Sequence, residues 1–201
     1  MVKRKSKPSP RKQPTDKLKR PMRVATKPAK PVKAAKRTAT KPKRPRAVPE
    51  GFSTLTPHLI VDGAGAAMDF YKTAFGALEL GRMPMPDGKR LMHAVMSFGN
   101  SMLFLVDAFE EMGMKGPKAL GGSGVALHLY VADVDAAFKR AVSAGCTASM
   151  PPADMFWGDR YAKVKDPFGH EWSMATHVRD MTPEEMAAAQ EAAFAAGKPS
   201  V

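Results

Sequence analysis

One stretch of this sequence occurs twice, and that repetition constrains the fold more than any other feature. Thr56–Ala77, TPHLIVDGAGAAMDFYKTAFGA, reads as a β-strand running into a helix. Seventy residues later the pattern returns: His58-Leu59-Ile60-Val61 falls on His128-Leu129-Tyr130-Val131, and Ala66-Ala67 falls on Ala136-Ala137. The same shift lays Phe98-Gly99 on Phe168-Gly169. One offset serving two separated segments implies a duplicated module of about seventy residues. Two copies are too few for a solenoid, which needs at least three repeats. A duplicated pair instead predicts two halves facing each other across one shared cleft.

Hydrophobic periodicity supplies the elements of each copy. Leu55–Val61 alternates and is rich in β-formers. Gly63–Phe75 carries an apolar face at Ala67, Phe70, Tyr71 and Ala74, with Gly76 placed to end a helix. Strands are predicted at Leu78–Met85, Lys89–Phe98 and Ser101–Val106, separated by the turns Pro86-Asp87-Gly88 and Gly99-Asn100. This is a βαβββ unit. Ala108–Gly124, rich in Gly and Met and without a clear period, reads as a connecting loop.

The pattern then restarts with a strand at Val125–Val131 and a helix capped by Asp133 and running to Ala144. Its inward face is expected at Ala137, Phe138, Ala141 and Val142, and Gly145 ends it. Short strands follow near Thr147–Met150, Arg160–Val164 and Glu171–Thr176. Thr182-Pro183-Glu184-Glu185 is a capping box that opens an Ala-rich helix to about residue 196. The modules are thus expected at about 54–107 and 124–177, within a folded body of residues 50–201. A body of about 150 residues buries around 70% of its unfolded surface, enough for a substantial core.

Charge divides the chain differently. Residues 1–49 hold 19 Lys or Arg against the single acid Asp16, so they carry about +18 while the remainder carries about −5. The overall +13 therefore describes a basic tail on a mildly acidic body. The tail also has nine of the 18 prolines and no aromatic residue, a composition that cannot offset the roughly 1–2 kcal/mol per residue of ordering. It is expected to be disordered, with polyproline-II tendencies. Its cations, among them Lys3, Arg4, Lys5, Arg37, Lys43, Arg44 and Arg46, suit non-specific association with DNA or RNA phosphates. Without aromatic residues it has no stacking platform for reading bases.

The tail lacks the apolar region of a secretory signal, and its prolines break an amphipathic transit helix. No run approaches the ~20 apolar residues of a membrane span. Cys146 is the only cysteine, which excludes an intrachain disulfide and fits a reducing, cytoplasmic compartment.

The ordered set of motifs across residues 48–186 resembles the vicinal oxygen chelate superfamily of glyoxalases, bleomycin-resistance proteins and dioxygenases, and most closely its PhnB-like branch. The stretches that carry the likeness are VPEGFSTLTPHLIVDGAGAAMDFYKTAFGA, PDGK with the following MHA, ALGGSGVALHLYVADVDAAF, FWGDRY, DPFGHEWSMATH and TPEEM. The resemblance implies an α+β fold in which two tandem βαβββ modules form a cupped mixed β-sheet around a cleft. It implies a small-molecule ligand, a homodimer, and either glyoxalase-type lyase or isomerase chemistry or metal-independent binding.

It also implies a divalent metal held by His or Gln plus Glu from both modules. The positions carried over are Thr56, Ala126 and Ser173, with Leu103 as the counterpart of Ser173 under the seventy-residue offset. None is a good divalent-metal ligand, so no metal or other cofactor is assigned. The alternative is a shifted metal site on the repeat-related His58 and His128, since imidazole suits Zn, Ni or Fe. Without a metal, these two histidines would be hydrogen-bonded in a polar cavity wall.

Beside them, His93, Trp157, Arg160 and Trp172 complete the candidate cleft. Two indoles and a guanidinium can hold a planar or anionic ligand by stacking and bidentate hydrogen bonds. Structurally, Trp172 reads equally as core, and Arg160 as a partner of Asp159 or Asp166. A second function class stays open beside the cleft-bearing protein: a nucleic-acid-associated chain whose tail makes the contact and whose body mainly dimerises.

Overall fold

The computed structural model describes residues 44–197. The expected disorder of the tail, and its cations Lys3, Arg4, Lys5, Arg37 and Lys43, lie outside them. Arg44 and Arg46 are described and are exposed.

Module one consists of β1 (His58–Val61), α1 (Ala64–Phe75), β2 (Leu78–Pro84), β3 (Leu91–Phe98) and β4 (Ser101–Asp107). A linker containing a 3₁₀ turn at Glu110–Met112 and the short α2 (Pro117–Leu120) leads to module two. This repeats the order as β5 (Ala126–Tyr130), α3 (Val134–Ala144), β6 (Thr147–Asp154), β7 (Asp159–Lys165) and β8 (Glu171–His177). A final helix, α4 (Pro183–Ala195), follows. The strands form two four-stranded mixed sheets of matching order, β1-β4-β3-β2 and β5-β8-β7-β6. In each, the first strand runs parallel to the last and the other pairs are antiparallel.

The boundaries differ from the sequence expectation for identifiable reasons. β1 begins at His58 rather than Leu55, because Pro57 has no N–H to give a ladder and Thr56 turns back to donate to the Ser53 carbonyl. β6 extends to Asp154 through Pro151 and Pro152. It can do so as an edge strand whose register shifts between Ala148 and Met150 and again between Met150 and Ala153. The linker contains helical turns where a plain loop was expected.

The modules differ in how they start their helices. Gly63, at φ 88°, precedes α1 and has no side chain to cap it. The cap comes from the far end of β4: Asp107 Oδ1 accepts the amides of Gly63 at 3.0 Å and Ala64 at 2.9 Å, and its Oδ2 accepts Leu91 N at 2.6 Å. In module two Asp133 caps α3 itself, accepting from Ala136 N. Thr176, on β8, adds a bond from Val134 N and donates its own hydroxyl to the Val131 carbonyl.

These last-strand caps lie 69 residues apart, and the register agrees. His58 pairs with Phe104 while His128 pairs with Ser173. The counterpart of Ser173 is therefore Phe104 and not Leu103, because the turn before the last strand differs by one residue between the copies.

The core lies between the helices and one face of each sheet. Ala67, Met68, Tyr71 and Ala74 of α1 are buried, as are Val134, Ala137 and Ala141 of α3. Val142, expected to face inward, is exposed, which leaves the buried stripe of α3 narrower than its sequence period suggested. The two helices pack on each other, and Trp172 of β8 enters the rings of module one. Its indole lies 4.4 Å from Phe75, 5.3 Å from Tyr71 and 5.5 Å from Phe98, centroid to centroid.

Candidate ligand-binding faces

One face of each sheet is covered by its helix; the other, here the open face, is not, although in module two Asp159, Tyr161, Ser173 and Ala175 on it are buried and exposure rises toward Tyr130. Side chains alternate across a strand, so His128 and Tyr130 of β5, Asp159 and Tyr161 of β7, and Ser173, Ala175 and His177 of β8 share the open face of module two. There His128 Nδ1 lies 2.8 Å from Ser173 Oγ. Its ring stacks on Tyr161 at 6.0 Å with a 17° interplanar angle and meets Tyr130 edge-on at 4.7 Å. Trp157 stands edge-on to Tyr161 at 5.8 Å.

Asp159 organises the polar side of this face. It is buried, and its Oδ2 accepts the Trp157 indole N–H at 3.1 Å and the Tyr130 hydroxyl at 3.4 Å. Its Oδ1 lies 2.8 Å from His177 Nδ1, and His177 Nε2 lies 3.0 Å from Asp180 Oδ1. Carboxylates at both ring nitrogens favour the imidazolium form of His177. Asp180 and Asp159 accordingly raise its pKa. The loop closing this corner depends on Gly158, at φ 95°, whose carbonyl accepts the amides of Val178 and Arg179. A Cβ there would collide with the Arg179 carbonyl oxygen.

The open face of module one is simpler. His58 meets His93 at 5.9 Å and Phe104 at 5.8 Å, both edge-on, and His93 lies 4.7 Å from Phe104. Burial, and after it the neighbouring His93, lowers the His58 pKa. Burial likewise lowers that of His128.

The structure does not bring the six sequence candidates together. His58 and His93 form one cluster, and His128 and Trp157 belong to another. Arg160 points to the helix-covered side of β7, where its guanidinium is bidentate to Asp135 of α3 at 2.6 and 2.9 Å and bonds Asp154 at 2.9 Å. Neither Asp159 nor Asp166 is its partner. Trp172 is 1% exposed, gives its N–H to Asp166, and only edges a groove beside Leu127 and Leu129.

Tyr130, Tyr161 and His177 were not among the candidates, Ser173 was named only as a metal-ligand position, and Asp159 only as a partner of Arg160. Alternation along one strand reaches only Tyr130, two residues from His128; the others depend on how the strands pair.

A metal does not fit these residues. Thr56 bonds Ser53, Ala126 has no donor atom, Ser173 is engaged by His128, and the position equivalent to Ser173 in module one is Phe104. Among the described residues no three His, Cys, Asp or Glu side chains converge in a ligating arrangement. The alternative pair fares no better, since His58 and His128 line separate grooves. Both grooves are lined from the two modules and mark the seam between them, the first with residues of β1 and β5, edge strands of separate sheets. No helix among the described residues is long and apolar enough to cross a membrane.

Comparison with known proteins gives the fold a family context. The model of the family described as "Glyoxalase/Bleomycin resistance protein/Dioxygenase superfamily" matches residues 52–174. Protein Mb0911c of Mycobacterium bovis is 49% identical over 138 residues, covering 67% of this chain and 90% of its own. The crystal structure of the Arabidopsis thaliana At5g48480 product superposes with a TM-score of 0.50 at 30% identity, covering 62% of this chain and 98% of that one. Protein PA1353 of Pseudomonas aeruginosa shares the fold, with a TM-score of 0.50 at 22% identity over 62% of this chain and 98% of its own.

Proposed function

From the premise that this chain belongs to the glyoxalase/bleomycin resistance protein/dioxygenase superfamily, we propose that it binds a planar aromatic small molecule on the open face of module two. The observation that carries this reading is the set of rings around Asp159. Tyr130, Tyr161, Trp157 and His128 offer stacking surfaces and edges, while Asp159, Ser173 and His177 supply fixed polar groups beside them. An apolar wall with a few oriented polar groups is the usual composition of a ligand site. No chemical step is assigned to a metal, because the donor set does not fit one.

The open face is shallow within one chain, and a second copy would close it. Tyr130 is 68% exposed, and Leu78, Leu80, Met83 and Met92 of module one also remain in solvent. Strands β1, β2, β5 and β6 are all sheet edges. Apolar edge strands of this kind favour burial against a partner, and a twofold dimer is the simplest closed arrangement. The proposed assembly is a homodimer with ligand between open faces.

Tryptophan fluorescence tests the binding reading, since Trp157 borders the site and Trp172 is sealed in the core. Titration with a panel of bicyclic and tricyclic aromatic compounds should quench Trp157 saturably, and Trp157→Phe should remove the response. A response that persists unchanged in Trp157→Phe, or none across the panel, overturns it. Native mass spectrometry reports the subunit count.

A further inference from the structure

His170 Nδ1 is the one fully sealed side-chain nitrogen or oxygen among the described residues that lacks a hydrogen-bond partner. It is 5% exposed, and its Nδ1 has no partner. The nearest carboxylate oxygen, Asp166 Oδ2, is 3.7 Å away, too far for a hydrogen bond. Asp166 is also already occupied: Oδ1 accepts Phe168 N and His170 N, and Oδ2 accepts Tyr71 Oη and Trp172 Nε1. Neither ring nitrogen of His170 bonds another described residue. A buried polar group without a partner calls for a physical explanation.

The ring borders one of the two seam grooves, a cavity of about 350 Å³ between β1, the linker and the start of β5. Ile60, Leu120, Val125 and Leu127 give it an apolar wall. Its polar side chains are His58, Lys115, Ser123 and His170, with no carboxylate among those lining it. Lys115 makes no ion pair among the described residues. The groove is held in shape by close packing: a Cβ on Gly116 would meet the Ile60 carbonyl oxygen at 3.1 Å, and one on Gly169 would meet Pro117 Cβ at 3.0 Å.

We propose that this groove binds a small carboxylate with an apolar body, anchored by the His170 imidazole and Lys115. The carboxylate accepts from Nε2, the ring nitrogen that is not sealed, while Nδ1 stays turned toward Asp166, and the apolar wall takes the rest of the molecule. Charge-assisted bonds from a lysine and an imidazolium select an anion over its neutral isostere. Asp166, behind the ring, favours the protonated imidazole once an anion sits in front of it. This site is distinct from the ring-lined face of module two and stands or falls separately.

Benzoate and its neutral isostere benzamide are the probes, added to the full-length protein while long-range ¹H–¹⁵N spectra follow the imidazoles. Benzoate should move the His170 ring nitrogens toward imidazolium values and leave Trp157 fluorescence unchanged. Benzamide should bind about tenfold more weakly or worse, and Lys115→Met should weaken benzoate by about five- to tenfold. His170→Phe should abolish binding; if that variant fails to fold, Lys115→Met, on an exposed stretch, decides alone. No His170 response to benzoate at tens of millimolar overturns the proposal. So do equal affinities for the two probes, or an unchanged affinity in Lys115→Met.

Discussion

Tyr71 of α1 donates its hydroxyl to Asp166 of module two at 2.7 Å, a buried bond between residues 95 apart that ties the two copies together. Trp172 shares the same carboxylate oxygen at 2.9 Å. The proximity of Asp166 adds to burial in pushing the Tyr71 pKa well above its usual value, so the phenol remains a donor. Tyr71→Phe removes this charge-assisted bond while keeping the ring, and should cost about 1.5–3 kcal/mol by urea denaturation. Asp166→Ala should cost more, because it strands two side-chain donors and two amides at once. If the two variants lose equal stability, the carboxylate is not the hub described.

The histidines divide by environment, and their titrations should show it. Burial holds His58 and His128 below the ordinary 6.5, whereas Asp180 and Asp159 hold His177 above it. The unfolded chain protonates at the ordinary value. His58 and His128 therefore contribute stability that is present above about pH 6.5 and declines as pH falls below it. His177 acts oppositely: its contribution is full below that value and is lost as pH rises through its folded pKa. NMR titration should rank His177 highest of the three, and Asp159→Asn should bring it down.

Cys146 should be inert in the folded protein. It is buried, and burial followed by nearby Asp166 pushes its thiol up to about 12. A thiol-disulfide reagent at pH 8 should label the native chain only on the timescale of unfolding, and promptly in denaturant. Prompt labelling of the native protein would contradict this packing.

The basic stretch makes a prediction independent of the fold. With 19 Lys or Arg in residues 1–49, the full chain should bind duplex DNA without sequence preference, and a chain lacking residues 1–48 should not. Affinity should fall with salt at a slope of about −0.9 per neutralised phosphate. DNA retention by the truncated chain would place the contact on the body instead.

Much of the architecture was legible because it rests on local signals. The repeated HLIV and HLYV strands, the Asp133 cap and the Thr182–Glu185 capping box each write their structure into neighbouring residues. What resisted reading depends on distant partners. The destination of Arg160 is set by Asp135, 25 residues away on α3, and the indole of Trp172 is tied down by Asp166 and the rings of module one. The Leu103 assignment failed because one constant offset cannot survive turns of unequal length; only the strand register reveals Phe104 as the equivalent. The ring-lined face was missed because Tyr130, Tyr161 and Asp159 belong to strands that meet only in the sheet.

The helix caps offer a direct mutational comparison. Asp107→Ala removes acceptors for three backbone amides and should destabilise by at least the about 0.5–2 kcal/mol typical of a lost cap. Thr176→Val removes only part of the α3 cap and should cost less, since Asp133 remains. Chemical denaturation of the two variants gives the order, and a larger loss for Thr176→Val would refute it.

That asymmetry reaches beyond equilibrium. The start of α3 is stabilised by its own preceding residue, so that helix can begin forming before any distant contact exists. The start of α1 waits for Asp107, more than forty residues downstream, and therefore for β4 to arrive. Two descendants of one ancestral unit would then mature at different moments, the later copy in the chain being the earlier to nucleate.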